Sequence, residues 1–107
     1  MANATAVVSR RGNDQFRGMF SDTWVVTATL DSGNLVDQAG ANDNVTVPGV
    51  ALGDMVLGFS FGVDLAGMTV TAYINAADTV TIRVQNESGG TINLASTTIR
   101  LVIARMV

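Results

Sequence analysis

Three aspartates near the ends of predicted strands come closest to a catalytic arrangement. Asp54, Asp64 and Asp78 each lie beside a turn, and a pair of carboxylates at a suitable separation can cleave a glycosidic bond. Acidic residues at such places more often form turns by bonding the backbone. The chain has no histidine or cysteine, and its six basic residues are all arginine, so the usual acid–base and nucleophilic groups are missing. We therefore expect no catalytic residues and no enzyme activity.

Oxygen ligands for a metal are concentrated in residues 37–44, a stretch that we interpret as a loop. Its candidate ligands are Asp37, Asn42, Asp43 and Asn44. Calcium takes six to eight oxygens, and known calcium loops place them at a fixed spacing with a bidentate glutamate, which this stretch lacks. Asp and Asn in loops usually bond their own backbone. We expect no metal site and no cofactor.

Charge is unevenly distributed along the chain. Residues 1–21 carry three arginines against Asp14, a net +2, whereas residues 22–107 carry three arginines against eight acids, a net −5. The overall charge of −3 does not supply the basic surface that nucleic-acid binding needs. For the Arg10–Arg11 pair, a carboxylate of a partner protein is as good a bidentate acceptor as a phosphate. These observations favour a protein partner and no nucleic acid.

The first 21 residues differ in composition from the rest and are interpreted as an N-terminal arm or strand that precedes a domain at 22–107. Large apolar side chains mixed with arginine are typical of protein interfaces. The predicted partner-contact residues are Arg10, Arg11, Phe16, Arg17, Met19 and Phe20. If the segment is an arm, deletion of residues 1–15 should leave the fold intact. The alternative is an ordinary N-terminal strand and loop folded onto the body.

The elements that must position these residues are strands. The chain has 15 valines, 12 threonines and 11 glycines; the first two favour pleated structure, and glycine marks turns. Period-two alternation runs through residues 23–30, 55–63, 68–74 and 79–85, and residues 98–106 are interpreted as the last strand. The pattern predicts an all-β fold, an antiparallel β-sandwich or small jelly-roll-like barrel of about six to eight short strands.

Two of these segments make specific predictions about faces. Met55, Leu57, Phe59, Phe61 and Val63 are expected to share one apolar face. Residues 98–106 are apolar on both faces, which places that strand in the middle of a sheet or against another subunit.

Low charge favours assembly. Apolar residues make up 48% of the chain and charged residues 14%, against about 25% charged in typical soluble domains. Contact with copies of the chain or with a partner would cover the excess apolar surface, although Thr, Ser, Asn and Gly are an alternative source of polarity. The residues after Met1 predict no secretory signal, and no apolar run reaches the roughly 18 residues of a membrane span.

Residues 45–54 read VTVPGVALGD, and residues 70–104 read VTAYINAADTVTIRVQNESGGTINLASTTIRLVIA. This order of turns and strands, over about the last sixty residues, resembles small β-structured virion proteins of tailed bacteriophages that serve as capsid decoration (cement) proteins. The resemblance implies a sandwich-like domain that forms a homo-oligomer, a trimer, on the major capsid protein at the outer surface of the virion. It transfers no individual functional residue.

The sequence thus favours a phage structural protein that binds a capsid shell and stabilises it, with no membrane partner. One alternative is a receptor- or glycan-binding module of a phage tail or head fibre, for which stretch 37–44 is the best candidate. A subunit of a non-viral shell or pilus is the other.

Overall fold

A computed structural model describes the backbone of residues 4–5 and 7–11, together with residues 19–31 and 33–107. This part of the chain contains no helix, and so none that could cross a membrane. It forms ten strands: β1 (Ala4–Thr5), β2 (Val7–Arg11), β3 (Phe20–Leu30), β4 (Asn34–Leu35), β5 (Gly40–Thr46), β6 (Met55–Phe61), β7 (Thr69–Ala76), β8 (Thr79–Gln85), β9 (Ile92–Asn93) and β10 (Thr97–Met106). The expected all-β class is confirmed.

The strands form two four-stranded sheets and a two-stranded one. Sheet A has the order β1-β5-β8-β7, sheet B has the order β2-β3-β10-β6, and β4 pairs with β9. Neighbours are antiparallel except for β1 and β5. Sheets A and B enclose one apolar core, so the predicted antiparallel β-sandwich is also confirmed.

The core follows the alternation of the sequence. Successive side chains of a strand point to opposite faces, and the inward row of β3 is buried together with those of β8 and β10. The buried residues of these rows are Trp24, Val26, Ala28, Leu30, Val80, Ile82, Val84, Ile99, Leu101 and Ile103. Each fully buried aliphatic side chain contributes about 1.5–3 kcal/mol relative to an exposed one, so these rows set the orientation of both sheets.

Strand β10 lies in the middle of sheet B, as its two apolar faces predicted. It pairs with β3 along one edge and with β6 along the other. Its inward row enters the core, while Arg100 and Val102 are exposed on the opposite face. The apolar character of both faces therefore places an exposed valine at the centre of an outer sheet surface.

A β-bulge in β6 overturns the expected face of that strand. Val56 pairs with Ile103 and Gly58 with Val102, so Leu57 is an extra residue without a cross-strand partner. Val56 and Phe59 consequently share the core side, whereas the extra residue, Leu57, has a half-exposed side chain. The sequence predicted Leu57 and Phe59 on one face, because simple alternation does not include the bulge.

The described part of the N-terminal segment belongs to both sheets. β1 pairs with β5 in sheet A, and β2 pairs with β3 in sheet B through a register shift between Val8 and Arg10. Strand β3 already begins at Phe20, across the expected boundary between residues 21 and 22. Residues 4–5 and 7–11 thus have strand pairings, and the role of residues 1–21 as an arm or a strand stays a prediction.

Residues 40–44 are strand rather than loop, which corrects the interpretation of stretch 37–44. β5 pairs residue by residue with β8, and its asparagines are accommodated by hydrogen bonds to that strand. Asn42 Oδ1 accepts from Arg83 Nη1 at 2.9 Å, and Asn44 Oδ1 accepts from the Thr81 hydroxyl at 2.9 Å. The Thr81 side chain is almost fully buried.

Candidate interaction surface

The outer face of sheet B exposes three apolar side chains close together. Val25 and Val102 are cross-strand partners, and Gly58 pairs with Val102 from the other side, next to the bulged Leu57. Their exposed fractions are 38% for Val25, 41% for Val102 and 50% for Leu57. We call Val25, Leu57 and Val102 the outer patch. Contiguous exposed apolar side chains framed by polar ones are typical of interaction sites.

Gly58 leaves one flank of Val102 uncovered. A Cβ at this glycine would have no atom within 4 Å, so the outer face is open where β6 passes Val102. A side chain at that position would cover part of the valine, because directly paired residues of a sheet contact each other. The outer patch therefore has a recess at its centre that an apolar group of a partner can enter.

Arg100 borders the outer patch two residues before Val102 on the same face of β10. Its cross-strand neighbours are Thr27 and Ser60, and it forms no ion pair with any carboxylate of the described residues. Arg83 is held by Asn42 and Gln85, and Arg105 by Asp54. A cleft of about 200 Å³ next to Arg100 is lined by Ser60, Phe61, Gly62, Thr98 and Arg100. A guanidinium beside an apolar patch can bind a carboxylate while adjacent apolar groups are buried.

Four of the residues expected to contact a partner lie in the N-terminal segment before Met19. The backbones of Arg10 and Arg11 pair with Val25 and Trp24 in sheet B, which places Arg10 in register beside the outer patch. Phe16 and Arg17 lie outside the described residues.

Met19 and Phe20 have different surroundings although they are adjacent. Phe20 is 8% exposed and pairs with Met106, so within this chain it is an interior residue rather than a surface anchor. Met19 is exposed, and its carbonyl accepts a hydrogen bond from the Val107 N–H at 3.3 Å. Met19, Met106 and Val107 thus form a second exposed apolar cluster at the end of β10.

A polar cleft of about 470 Å³ lies at one end of the sandwich, lined by Asp37, Gln38, Gln85, Glu87 and Gly89. Its walls are fixed by hydrogen bonds: Asp37 Oδ1 accepts from the Gly89 N–H at 3.0 Å, and Gln85 Nε2 donates to the Gln38 carbonyl at 3.0 Å. We call it the acidic cleft. Its carboxylates and amides can bond hydroxyl groups, but its lining contains no aromatic ring.

Asn86 holds the loop that forms this cleft. Its Nδ2 donates to the Leu35 carbonyl at 2.9 Å and to the Gly90 carbonyl at 2.8 Å, while its Oδ1 accepts from the N–H and hydroxyl of Ser88. The side chain is fully buried. The turn at residues 86–90 is therefore built around one amide whose donors and acceptor are all used.

The three aspartates considered for catalysis bond the backbone of turns. Asp54 accepts from the Ala51 N–H, Asp64 from the Ala66 N–H, and Asp78 from the Gly49 N–H, at 2.8–3.0 Å. Asp54 also binds Arg105. Each carboxylate thus has a local structural role.

The four candidate metal ligands do not converge. Asp43 is buried on the core side of β5, whereas Asn42 and Asn44 lie on its other face in bonds to β8. Asp37 bonds Gly89 instead. Among the described residues no group of three acidic side chains lies close enough together to hold a metal ion.

Sequence reasoning did not identify Val25, Leu57, Val102 and Arg100 as a site. The available signal was the strand that is apolar on both faces, together with an arginine on its outer row. Searches against known protein families, curated proteins and solved structures found no match to this chain.

Proposed function

We propose that this protein is a structural component of a tailed-bacteriophage virion, a decoration or cement protein that binds the major capsid protein and stabilises the shell. The observation that supports the proposal best is the outer patch with Arg100 at its border. The function is the one that the resemblance implies, and the outer patch is the surface through which we propose that the protein binds the capsid. It requires no catalytic group, metal or cofactor.

Binding would combine apolar burial with one charge-assisted contact. The partner offers an apolar group to the recess at Gly58 and a carboxylate to Arg100. Bidentate arginine–carboxylate contacts fix orientation as well as adding energy. Residues 22–107 carry a net charge of −5, so within this range an acidic partner would be attracted mainly to Arg100 and repelled elsewhere.

Attachment to a shell is naturally multivalent. Linking several copies turns later binding events into intramolecular ones, so that a modest affinity of a single site becomes a high overall affinity. We propose that the chain binds as a homo-oligomer, for which the resemblance implies three copies. Contacts that bridge neighbouring capsid subunits would then oppose their separation.

The test makes two side chains of the outer patch polar while keeping their shape. Val25→Thr combined with Val102→Thr keeps two β-branched side chains but makes the surface polar, and Val36→Thr is the matched control at an exposed valine elsewhere. Binding to native particles stripped of this protein is measured by co-sedimentation. We expect the double variant to bind about tenfold more weakly, equivalent to about 1.4 kcal/mol, and the control to bind like the wild type.

Two outcomes would contradict different parts of the proposal. Equal binding by the double variant would show that another surface docks on the shell. Absence of the wild-type protein from native particles, tested by immunogold electron microscopy, would reject the virion function itself.

The acidic cleft favours the second candidate function, a glycan-binding module of a phage fibre. Carboxylates and amides lining a concave site are groups that bond sugar hydroxyls. A glycan array probed with wild-type protein and with Glu87→Gln would decide this alternative. It predicts selective binding that the substitution abolishes, whereas the decoration function predicts no selective binding.

A further inference from the structure

Strand β7 is an unprotected edge of sheet A. It pairs with β8 on one side, and no other described strand pairs with its second side. Thr69–Ala76 contains no charged residue and no proline, two of the devices with which edge strands avoid pairing with other chains. The one register shift of β7 follows Ile74, so Thr69–Ile74 forms a regular strand whose outer row of backbone donors and acceptors pairs with no described strand.

The neighbouring edge, β6 of sheet B, is built differently. Its pairing with β10 is interrupted by the bulge at Leu57 and it contains Gly58. A bulge twists an edge and hinders continuous pairing with another strand. β6 and β7 lie against each other on the same side of the sandwich, and β7 alone of these two presents a straight edge.

The core is incompletely covered on this side. Phe59 lies on the core face opposite Leu101, yet Phe59 is 40% exposed and Leu101 only 1%. In sheet A, Val70 and Ala72 of β7 are half-buried, while their partners Val84 and Ile82 on β8 are fully buried. Apolar side chains at this edge thus have room for further contacts from a neighbouring molecule.

We propose that β7 pairs antiparallel with β7 of a second copy about a two-fold axis, which joins the two A sheets into one continuous sheet. A two-fold contact brings the same patch of both chains together, so the patch must be self-complementary. β7 meets this requirement, because a strand without charges places no like charges opposite each other.

Cross-strand pairing in this arrangement is favourable on both faces. With Thr71 on the axis, Tyr73 of each copy faces Thr69 of the other, and Val70 faces Ala72. Aromatic–threonine, threonine–threonine and aliphatic pairs each stabilise an antiparallel ladder. The half-buried row of each copy would extend the core side of the other. A second copy therefore suits this edge better than a charged peptide.

The contact does not depend on the proposed virion function. It yields dimers or even-numbered assemblies rather than the three copies that the resemblance implies, because a closed ring of three uses two different patches on each chain. The oligomeric state and the docking of the outer patch can consequently be tested separately.

Cysteine scanning tests the geometry directly, since the natural chain contains no cysteine. Thr69→Cys, Val70→Cys, Thr71→Cys, Ala72→Cys and Tyr73→Cys are each oxidised with copper–phenanthroline. Facing residues on the axis of an antiparallel pair have Cα atoms about 4.5–5.5 Å apart, within disulfide range. We expect a cross-linked dimer at Thr71, the residue on the axis, and little at the other positions, so a cross-link that forms mainly at another position would contradict this register. Equal cross-linking at all five positions, or none, would overturn the proposal.

A charge at the axis tests the energetics. Thr71→Lys places two ammonium groups opposite each other, and Thr46→Lys is the matched control on an exposed position of β5 in the same sheet. Light scattering coupled to size exclusion should give about twice 11.1 kDa for the wild type and the control. Thr71→Lys should dissociate at least tenfold more readily, with partial recovery at high salt. Thermal melting confirms that each variant is folded.

The remaining outcomes overturn the contact. A monomeric wild type at micromolar concentration would do so, and so would a trimer or a dimer that Thr71→Lys leaves unchanged. Any of these results would leave the binding of the outer patch to particles as an independent question.

Discussion

Asp54 and Arg105 form a two-pronged ion pair that joins the turn before β6 to the end of β10. Arg105 Nε lies 2.9 Å from Asp54 Oδ1, and Nη2 lies 2.9 Å from Oδ2. Nη2 also donates to the Gly49 carbonyl, and the guanidinium lies 5.3 Å from the centre of the Trp24 ring. Bidentate geometry with a stacked ring is specific to arginine. The pair therefore closes this end of the core over Trp24.

The first prediction concerns the pH dependence of stability. The hydrogen bonds from Arg105 lower the pKa of Asp54 against the opposing effect of burial, and the Ala51 N–H lowers it further. A carboxyl group with a lowered folded pKa stabilises the fold above its unfolded pKa, near 4, and loses that contribution as pH falls through the folded value. Asp54→Asn should lower the free energy of unfolding by about 1 kcal/mol at pH 7.

The difference between wild type and Asp54→Asn should shrink progressively below about pH 4. Urea denaturation at pH 7, 5, 4 and 3 measures it, with Asp64→Asn as the control at an aspartate that bonds only a turn. A difference that stays constant down to pH 3 would show that the ion pair does not stabilise the fold.

The second prediction concerns the buried amide that holds the loop at residues 86–90. Asn86→Asp keeps the shape but replaces a donor to the Leu35 and Gly90 carbonyls with an acceptor. Unmatched buried polar groups cost about 1–3 kcal/mol, and more when charged. We expect a loss of about 3 kcal/mol at pH 7 in thermal or urea unfolding.

The same substitution has a characteristic pH profile. Protonation restores a donor toward the two carbonyls, so the folded pKa of the new carboxyl group should lie above its unfolded value. Its ionised form then destabilises the fold, and the stability loss should decrease as pH falls toward 4. Asn34→Asp, at an exposed asparagine of β4, is the control. A loss that does not depend on pH would mean that the amide donor is not what stabilises the loop.

How much of this structure follows from the sequence depends on whether a feature is local. The alternation expected over residues 23–30 matches the buried row of β3, because alternation is a property of one strand. The bulge at Leu57 was not, because it arises only where β6 meets β10. Likewise, the asparagines at residues 42 and 44 favour a loop by their residue type. They lie in a strand because their side chains accept hydrogen bonds from Arg83 and Thr81 of β8.

The candidate surface shows the same limit. Alternation places Arg100 and Val102 on one face of β10, as could be derived from the sequence. It does not reveal that their neighbours are Thr27, Ser60 and Gly58, since these come from two other strands. That Arg100 has no carboxylate partner among the described residues, and that Val102 lies beside an open glycine, thus depends on tertiary structure.

The third prediction concerns the charge at the outer patch. Arg100→Glu should weaken binding to native particles at least tenfold, because a carboxylate of the partner would then face a like charge. The remaining binding should depend less steeply on salt. Arg83→Glu, at an exposed arginine on the other sheet, is the control for net charge. Equal loss of binding by both variants would indicate general repulsion rather than a contact at Arg100.

The last prediction concerns the N-terminal strands and distinguishes a strand from an arm. Deletion of residues 1–11 removes β1 from sheet A and β2 from sheet B. β2 pairs with β3 at Val7–Thr27 and Val8–Val26, so the truncation exposes the edge of the strand that carries Trp24. At about 1 kcal/mol for each lost ladder hydrogen bond, the loss should be about 3 kcal/mol or more.

For a domain of this size such a loss lowers the melting temperature by more than about 10 °C. Deletion of residues 1–3, which removes no residue of β1 or β2, is the control and should melt like the full chain. If the chain without residues 1–11 melts within a few degrees of the full-length protein, the segment is an arm and the pairing of β2 contributes little to the fold.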